Sequence, residues 1–222
     1  SLFFHPVSAT LKKESSLRKG GDFAEKEVLP MLYYHGSPKV GLTILKPFLC
    51  ADSNLQKPCV YLTTSRALAA LYIWSRPFRW MNYGIREDGV PVYTESFSGA
   101  LSEFYGGLSG CVYICRGTYT QNGTGISVAA VSEDPVPVES AEYIPDAYEE
   151  LLRLEKTGAL CIRRYEALSP EETEAQNRMI LQEIRREKLL SRPESPMSLF
   201  LQEKFPALWE QAKEQGTSQP RE

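Results

Sequence analysis

The pattern that most constrains this chain is a series of short β-type runs broken by turn residues, with no regular helix between them. Such runs cover residues 31–35, 60–63, 79–85, 90–95, 111–115, 126–131 and 136–141. Gly36-Ser37-Pro38, Glu87-Asp88-Gly89, Gln121-Asn122-Gly123 and Glu133-Asp134-Pro135 punctuate them. Asp88-Gly89 is a hairpin signal between the third and fourth runs. A doubly wound parallel sheet needs a helix of roughly 10–15 residues between successive strands, and this chain has no such rhythm. It also has no GxGxxG and no GxxxxGK[ST] segment, which removes the familiar dinucleotide and P-loop readings.

Helices are expected at five places. Ser65 is a suitable N-cap for residues 66–75, with Leu68, Leu71 and Tyr72 on one face. Residues 98–105 form a short helix closed by Gly106-Gly107. Pro145 fits the first position of a helix that runs to Thr157 and stops at Gly158, followed by a strand at 160–162. Ser169-Pro170-Glu171-Glu172 is a capping box that opens a helix to about Ser191, and a last helix over about 197–215 is interrupted or kinked near Pro206. The expected class is α+β: a β-rich body over 31–168 and a helical C-terminal extension over 169–222.

Residues 1–30 differ from the rest. They carry a net charge of +1, against −4 for residues 31–222, and show no period of 2 or 3.6. Lys26-Glu27-Val28 back-translates to AAGGAGGT in one codon choice, a bacterial ribosome-binding sequence shortly before the codon of Met31. The segment therefore reads either as an N-terminal arm or as a mistranslated leader, with Met31 as the start.

The 222 residues are 42% hydrophobic and 24% charged, the balance of a globular protein able to bury a core. The net charge of −3 argues against nucleic acid held by bulk charge. No run of apolar residues is long enough to span a membrane as a helix. The five cysteines, an odd number without a CxxC pair, suggest reduced thiols and a cytoplasmic setting. Cys111 and Cys115 read as strand residues rather than metal ligands.

Three elements could carry chemistry. His35, the only histidine after Met31, ends a strand and precedes Gly36, where a ligand could approach the backbone closely. Tyr61 and Tyr72 lie on the two arms of a strand–turn–helix unit whose helix carries small residues Ala67, Ala69 and Ala70; two tyrosines so placed can stack on a flat ring. Glu142 stands where a strand gives way to a helix. Taken singly, each also reads as ordinary structure: a packing histidine, half-buried core tyrosines, a surface or capping carboxylate.

Together, Tyr34-His35-Gly36-Ser37, Val60-Tyr61-Leu62-Thr63-Thr64 with Tyr72 downstream, and Glu142-Tyr143-Ile144 resemble the ADP-ribosyltransferase superfamily, in its His-Tyr-Glu branch of diphtheria toxin and the poly-ADP-ribose polymerases. The resemblance covers about residues 31–145. It implies a split β-sheet core with inserted helices and NAD as substrate, with mono-ADP-ribosyl transfer to a protein or small-molecule acceptor. It further implies that His35 bonds the adenosine ribose, the Gly36 backbone holds the nicotinamide amide, and Tyr61 and Tyr72 sandwich the nicotinamide ring. Ser37 and Thr63 border the same site. Glu142 would bond the nicotinamide ribose and stabilise the charge that grows there as the glycosidic bond breaks. On this view Glu142, His35 and Tyr61 are the catalytic set, and no metal is needed.

The chain departs from the family pattern in the helix between the tyrosines, where a serine is often found and Ala69 stands here. Glu95 and Glu103 are alternative carboxylates. Phe97, Phe104, Tyr105 and Gly106-Gly107 read either as a target-recognition stretch or as hairpin packing. An NAD glycohydrolase, an inactive NAD-binding module and an unrelated α+β interaction domain remain alternative readings.

Overall fold

The aromatic run that Met31 opens is a strand of the sheet, with Tyr33 and Tyr34 packing into the cores on its opposite faces. A computed structural model describes residues 31–50, 55–121 and 124–217; the expectations for 1–30 lie outside them. The elements in chain order are β1 (Met31–Ser37), β2 (Ile44–Leu45), β3 (Val60–Thr63), α1 (Arg66–Leu71), β4 (Tyr83–Ile85), β5 (Pro91–Thr94), α2 (Ala100–Tyr105), β6 (Gly110–Gly117), β7 (Ala129–Ser132), β8 (Val136–Pro137), β9 (Ser140–Ile144), α3 (Ala147–Lys156), β10 (Cys161–Arg163), α4 (Pro170–Arg186), α5 (Pro196–Lys204) and α6 (Pro206–Thr217). The class is mixed α+β, as the sequence leads one to expect.

Five strands form the main sheet in the order β7-β3-β1-β6-β9. β1 pairs with β6 along its whole length, from Met31↔Gly117 to Ser37↔Cys111. Its pairing with β3 on the other side is confined to Tyr34↔Thr63, so beyond that position the ladder between the two strands is open. A second sheet, β10-β5-β4, contains the hairpin that Asp88-Gly89 turns, and β2 with β8 makes a small ribbon.

Each face of the main sheet has its own core. Tyr33, Val60, Leu62, Cys111, Tyr113, Cys115 and Ala130 pack beneath the β2–β8 ribbon; Cys111 and Cys115 are buried strand residues there. The opposite face packs against α1, α2, α3 and the C-terminal helices. All three small residues of α1, Ala67, Ala69 and Ala70, are buried. The helix sits so close to β1 that a Cβ on Gly36 would lie 1.7 Å from the Ala69 carbonyl oxygen. The open side of Gly36 is thus filled by a helix.

Several boundaries move for local reasons. Ser65 caps α1 by accepting from the Leu68 N–H, but the helix stops at Leu71, earlier than expected. Pro145 lies outside α3: Asp146 is the N-cap, accepting from Tyr148 and Glu149. The strand expected at 126–131 begins at Ala129, and the run at 136–141 divides into β8 and the start of β9. The Ser169–Glu172 capping box forms as expected, and α4 ends at Arg186, two residues before Lys188 takes a left-handed conformation.

The C-terminal helices are continuous with the body. Phe200 packs its ring on Phe78, Trp80, Phe97, Phe104 and Phe205, and Gln176 donates to the Glu95 carbonyl. Phe104 and the fully buried Tyr105 are therefore core residues, and the half-buried Phe97 packs against that core. Among the described residues no helix is long and apolar enough to cross a membrane.

Candidate functional site

A cavity of about 890 Å³ opens beside the place where β1 and β3 part, within the usual size of a small-molecule site, roughly 300–1,000 Å³. His35, Gly36, Ser37, Tyr61, Thr63 and Tyr72 all line it. β1 supplies the first three, β3 supplies Tyr61 and Thr63, and Tyr72 stands at the C-cap of α1. One strand–turn–helix unit, tied at its turn by the Thr63 hydroxyl donating to the Val128 carbonyl, thus brings both tyrosines to one space.

His35 holds the parting in place. Its Nδ1 lies 2.8 Å from the Tyr61 carbonyl oxygen. A carbonyl only accepts, so Nδ1 carries the hydrogen, and Nε2 of the neutral ring is left as an acceptor. Burial pushes the imidazole below its ordinary pKa, outweighing the Tyr61 carbonyl bond that favours the charged form. The ring is neutral at pH 7.

The tyrosines sit in different surroundings. The Tyr72 hydroxyl is 2.8 Å from the Tyr83 hydroxyl, and the Arg79 guanidinium lies over its ring, 5.1 Å from the centroid. Burial raises the Tyr72 phenol above its usual range, so it stays protonated and able to donate. Tyr61 packs its ring against Phe48 at 5.6 Å. Arg79, Tyr83, Lys39, Lys46 and Phe48 also line the cavity, and the sequence does not single them out. Lys39, Lys46 and Phe48 lie in a loop segment without periodicity. The Asp-Gly hairpin signal was the only pointer to Tyr83.

The carboxylates are elsewhere. Glu142 does not line the cavity. It belongs to β9, at the edge of the sheet beyond β6, in the register Gly36↔Val112↔Glu142. That places it two strand spacings, about 10 Å, from Gly36, on the side away from β3. Its carboxylate accepts from Arg66 Nε at 2.8 Å, and the same guanidinium reaches Glu150 of α3. Burial works against the charge on Glu150, but Arg153 and Arg66 bond it and hold its pKa low. Glu142 is thus part of a clamp joining α1, β9 and α3. Glu95 is buried, accepting from the Leu101 and Tyr165 N–H groups, and Glu103 pairs with Lys204 at 2.7 Å. Neither lines the cavity.

The strand that flanks β3 on its other side is β7, where Ala129 pairs with Thr63 and lines the cavity. Among the described lining residues there is no aspartate or glutamate, while Lys39, Lys46 and Arg79 are cations. The lining can therefore bind a flat ring and anionic groups, with a neutral imidazole as hydrogen-bond acceptor. No family model, no curated protein and no solved structure matches this chain.

Proposed function

We propose that this cavity binds NAD and that the protein is an NAD-dependent ADP-ribosyltransferase. One observation carries the reading: His35, Gly36, Ser37, Tyr61, Thr63 and Tyr72, which come from three separate elements, line one cavity at an opening in the sheet. In this reading Tyr61 and Tyr72 stack on the nicotinamide ring, His35 Nε2 accepts from a ribose hydroxyl, and Arg79 faces the pyrophosphate. Fixing both ends of the dinucleotide orients the glycosidic bond for displacement. In this reading His35 and Tyr61 keep the roles the resemblance implies, and Glu142, which does not line the cavity, is given none.

The lack of a carboxylate among the described lining residues favours one second reading, a module that binds NAD without turning it over. Calorimetry and a nicotinamide-release assay on the full chain separate the two. Binding with release, both lost in Tyr61→Ala, supports the transferase or a glycohydrolase, and attachment of labelled ADP-ribose to an acceptor distinguishes these. Binding without release under every acceptor condition supports the module. No binding at millimolar NAD overturns both.

A further inference from the structure

Charge is sorted unevenly in this protein. Most described arginines and lysines away from the cavity sit on carboxylates: Lys57 on Glu133, Arg66 on Glu142 and Glu150, Arg116 on Glu139, Arg163 on Glu172, Arg164 on Glu155, Lys204 on Glu103. The three cations that line the cavity have no ion pair among the described residues. Lys39 and Lys46 are exposed, in the loop between β1 and β3, and Arg79 rests on the Tyr72 ring inside. The chain is acidic overall, so a cavity whose described charged lining residues are all cations marks a local positive field.

Resting on the reading of this cavity as an NAD site, we infer that the acceptor is a phosphate monoester. A hydroxyl or amide acceptor needs a base to take its proton, and growing positive charge on the ribose needs a nearby anion. Among the described lining residues no carboxylate supplies that anion, and the one imidazole, His35, has its Nε2 committed to the NAD ribose in this reading. A phosphate dianion meets both needs itself. One of its oxygens forms the bond to the ribose C1 of NAD while the bond from that carbon to the nicotinamide nitrogen breaks. The electron pair goes to the ring nitrogen, nicotinamide leaves neutral, and no proton moves. Lys39 and Lys46 at the rim hold the incoming phosphate, and Phe48 beside them offers an apolar face to the group it is esterified to.

The test incubates the full chain with NAD and phenyl phosphate, inorganic phosphate, or sulfate as an anion that adds ionic strength alone. Mass spectrometry reads the ADP-ribosyl phosphate product and chromatography the released nicotinamide. The expected result is a phosphate adduct with phenyl phosphate, faster nicotinamide release than with sulfate, and a rate that rises as pH passes about 6, where the ester becomes a dianion. An adduct with inorganic phosphate alone would assign free phosphate rather than an ester as the acceptor and overturn the proposal in its stated form. Lys39→Gln with Lys46→Gln is expected to raise the half-saturating phenyl phosphate concentration about tenfold, and Lys156→Gln on α3 is the matched charge control. Nicotinamide release with no phosphate adduct overturns the acceptor and leaves the NAD reading standing; absence of NAD binding removes that reading instead. Asp52 follows Cys50, a lining residue, in a segment outside the described residues. Loss of nicotinamide release in Asp52→Asn with folding intact would show that a carboxylate serves the cavity, and would also overturn the proposal.

Discussion

Nδ1 of His35 lies 2.8 Å from the carbonyl oxygen of Tyr61, joining β1 to β3 just past the single position where their backbones pair. The side chain takes over where the ladder stops. It keeps the two strands at a fixed separation and sets the tautomer of a ring that faces the cavity.

That bond gives a pH dependence. Burial lowers the folded-state pKa of His35 below its unfolded value near 6.5. The unfolded chain therefore binds the proton first as pH falls. Stability from this group is fully present above about 6.5 and is lost as pH drops through the lower folded value. Thermal midpoints compared between pH 7.5 and 5 should fall more steeply for the wild type than for His35→Asn. Equal slopes would show that the imidazole titrates as if exposed.

Glu142→Gln should scarcely alter nicotinamide release, within about twofold, if the protein turns over NAD, because the carboxylate is held by Arg66 away from the cavity. The side chain is 42% exposed, so losing its charge costs only about 0.5 kcal/mol. Arg66→Ala is the harsher change. It strips a partner from Glu150, whose side chain is only 10% exposed, and should cost about 1–3 kcal/mol in urea denaturation. A hundredfold loss of release in Glu142→Gln would restore it as the catalytic carboxylate.

Gly36→Ala should be among the most damaging single substitutions in the body. Its Cβ would collide with a backbone oxygen of α1, which no rotamer change can relieve. Overpacking of this kind costs about 3 kcal/mol, read as a lower urea midpoint with the m-value unchanged.

Tyr72→Ala should weaken NAD binding at least about tenfold, since one stacked ring contributes on the order of 1–3 kcal/mol. Tyr72→Phe keeps the ring under Arg79 and loses only the bond to Tyr83. Titration calorimetry should therefore rank affinities wild type, Tyr72→Phe, Tyr72→Ala. Equal affinities would remove Tyr72 from the site.

Phe200→Ala, outside the cavity lining, should destabilise the entire fold by about 3–5 kcal/mol. Its ring joins α5 to aromatic residues of the body. A single cooperative unfolding transition shifted to lower denaturant is expected. Two separate transitions would mean that the helical extension folds by itself.

Much of the local structure can be read in the chain because its causes are local. Ser65 and Ser169 cap their helices through hydroxyls within three residues of the N–H groups they satisfy. Asp88-Gly89 turns a hairpin, with Gly89 at φ +83°. The lining contributed by β1, β3 and α1 was legible for the same reason: Tyr61, Thr63 and Tyr72 belong to one continuous strand–turn–helix unit, and His35 and Gly36 to one strand. Phe97 and Phe104 were ambiguous, because contacts distant along the chain, with Trp74, Phe200 and Phe205, pack them into the core.

The sequence by itself determined roughly where the strands and the helix caps fall, and which aromatic and polar groups stand near the ends of β1, β3 and α1. Only the tertiary structure decided which strands are neighbours. Side-chain alternation has a period of two and reports a face, never the partner across the ladder. Glu142 shares a face with Gly36. Long-range pairing puts β6 between them and puts β7, with Ala129, beside β3 instead. The same pairing leaves Lys39, Lys46 and Arg79 around the opening at His35 and Tyr61.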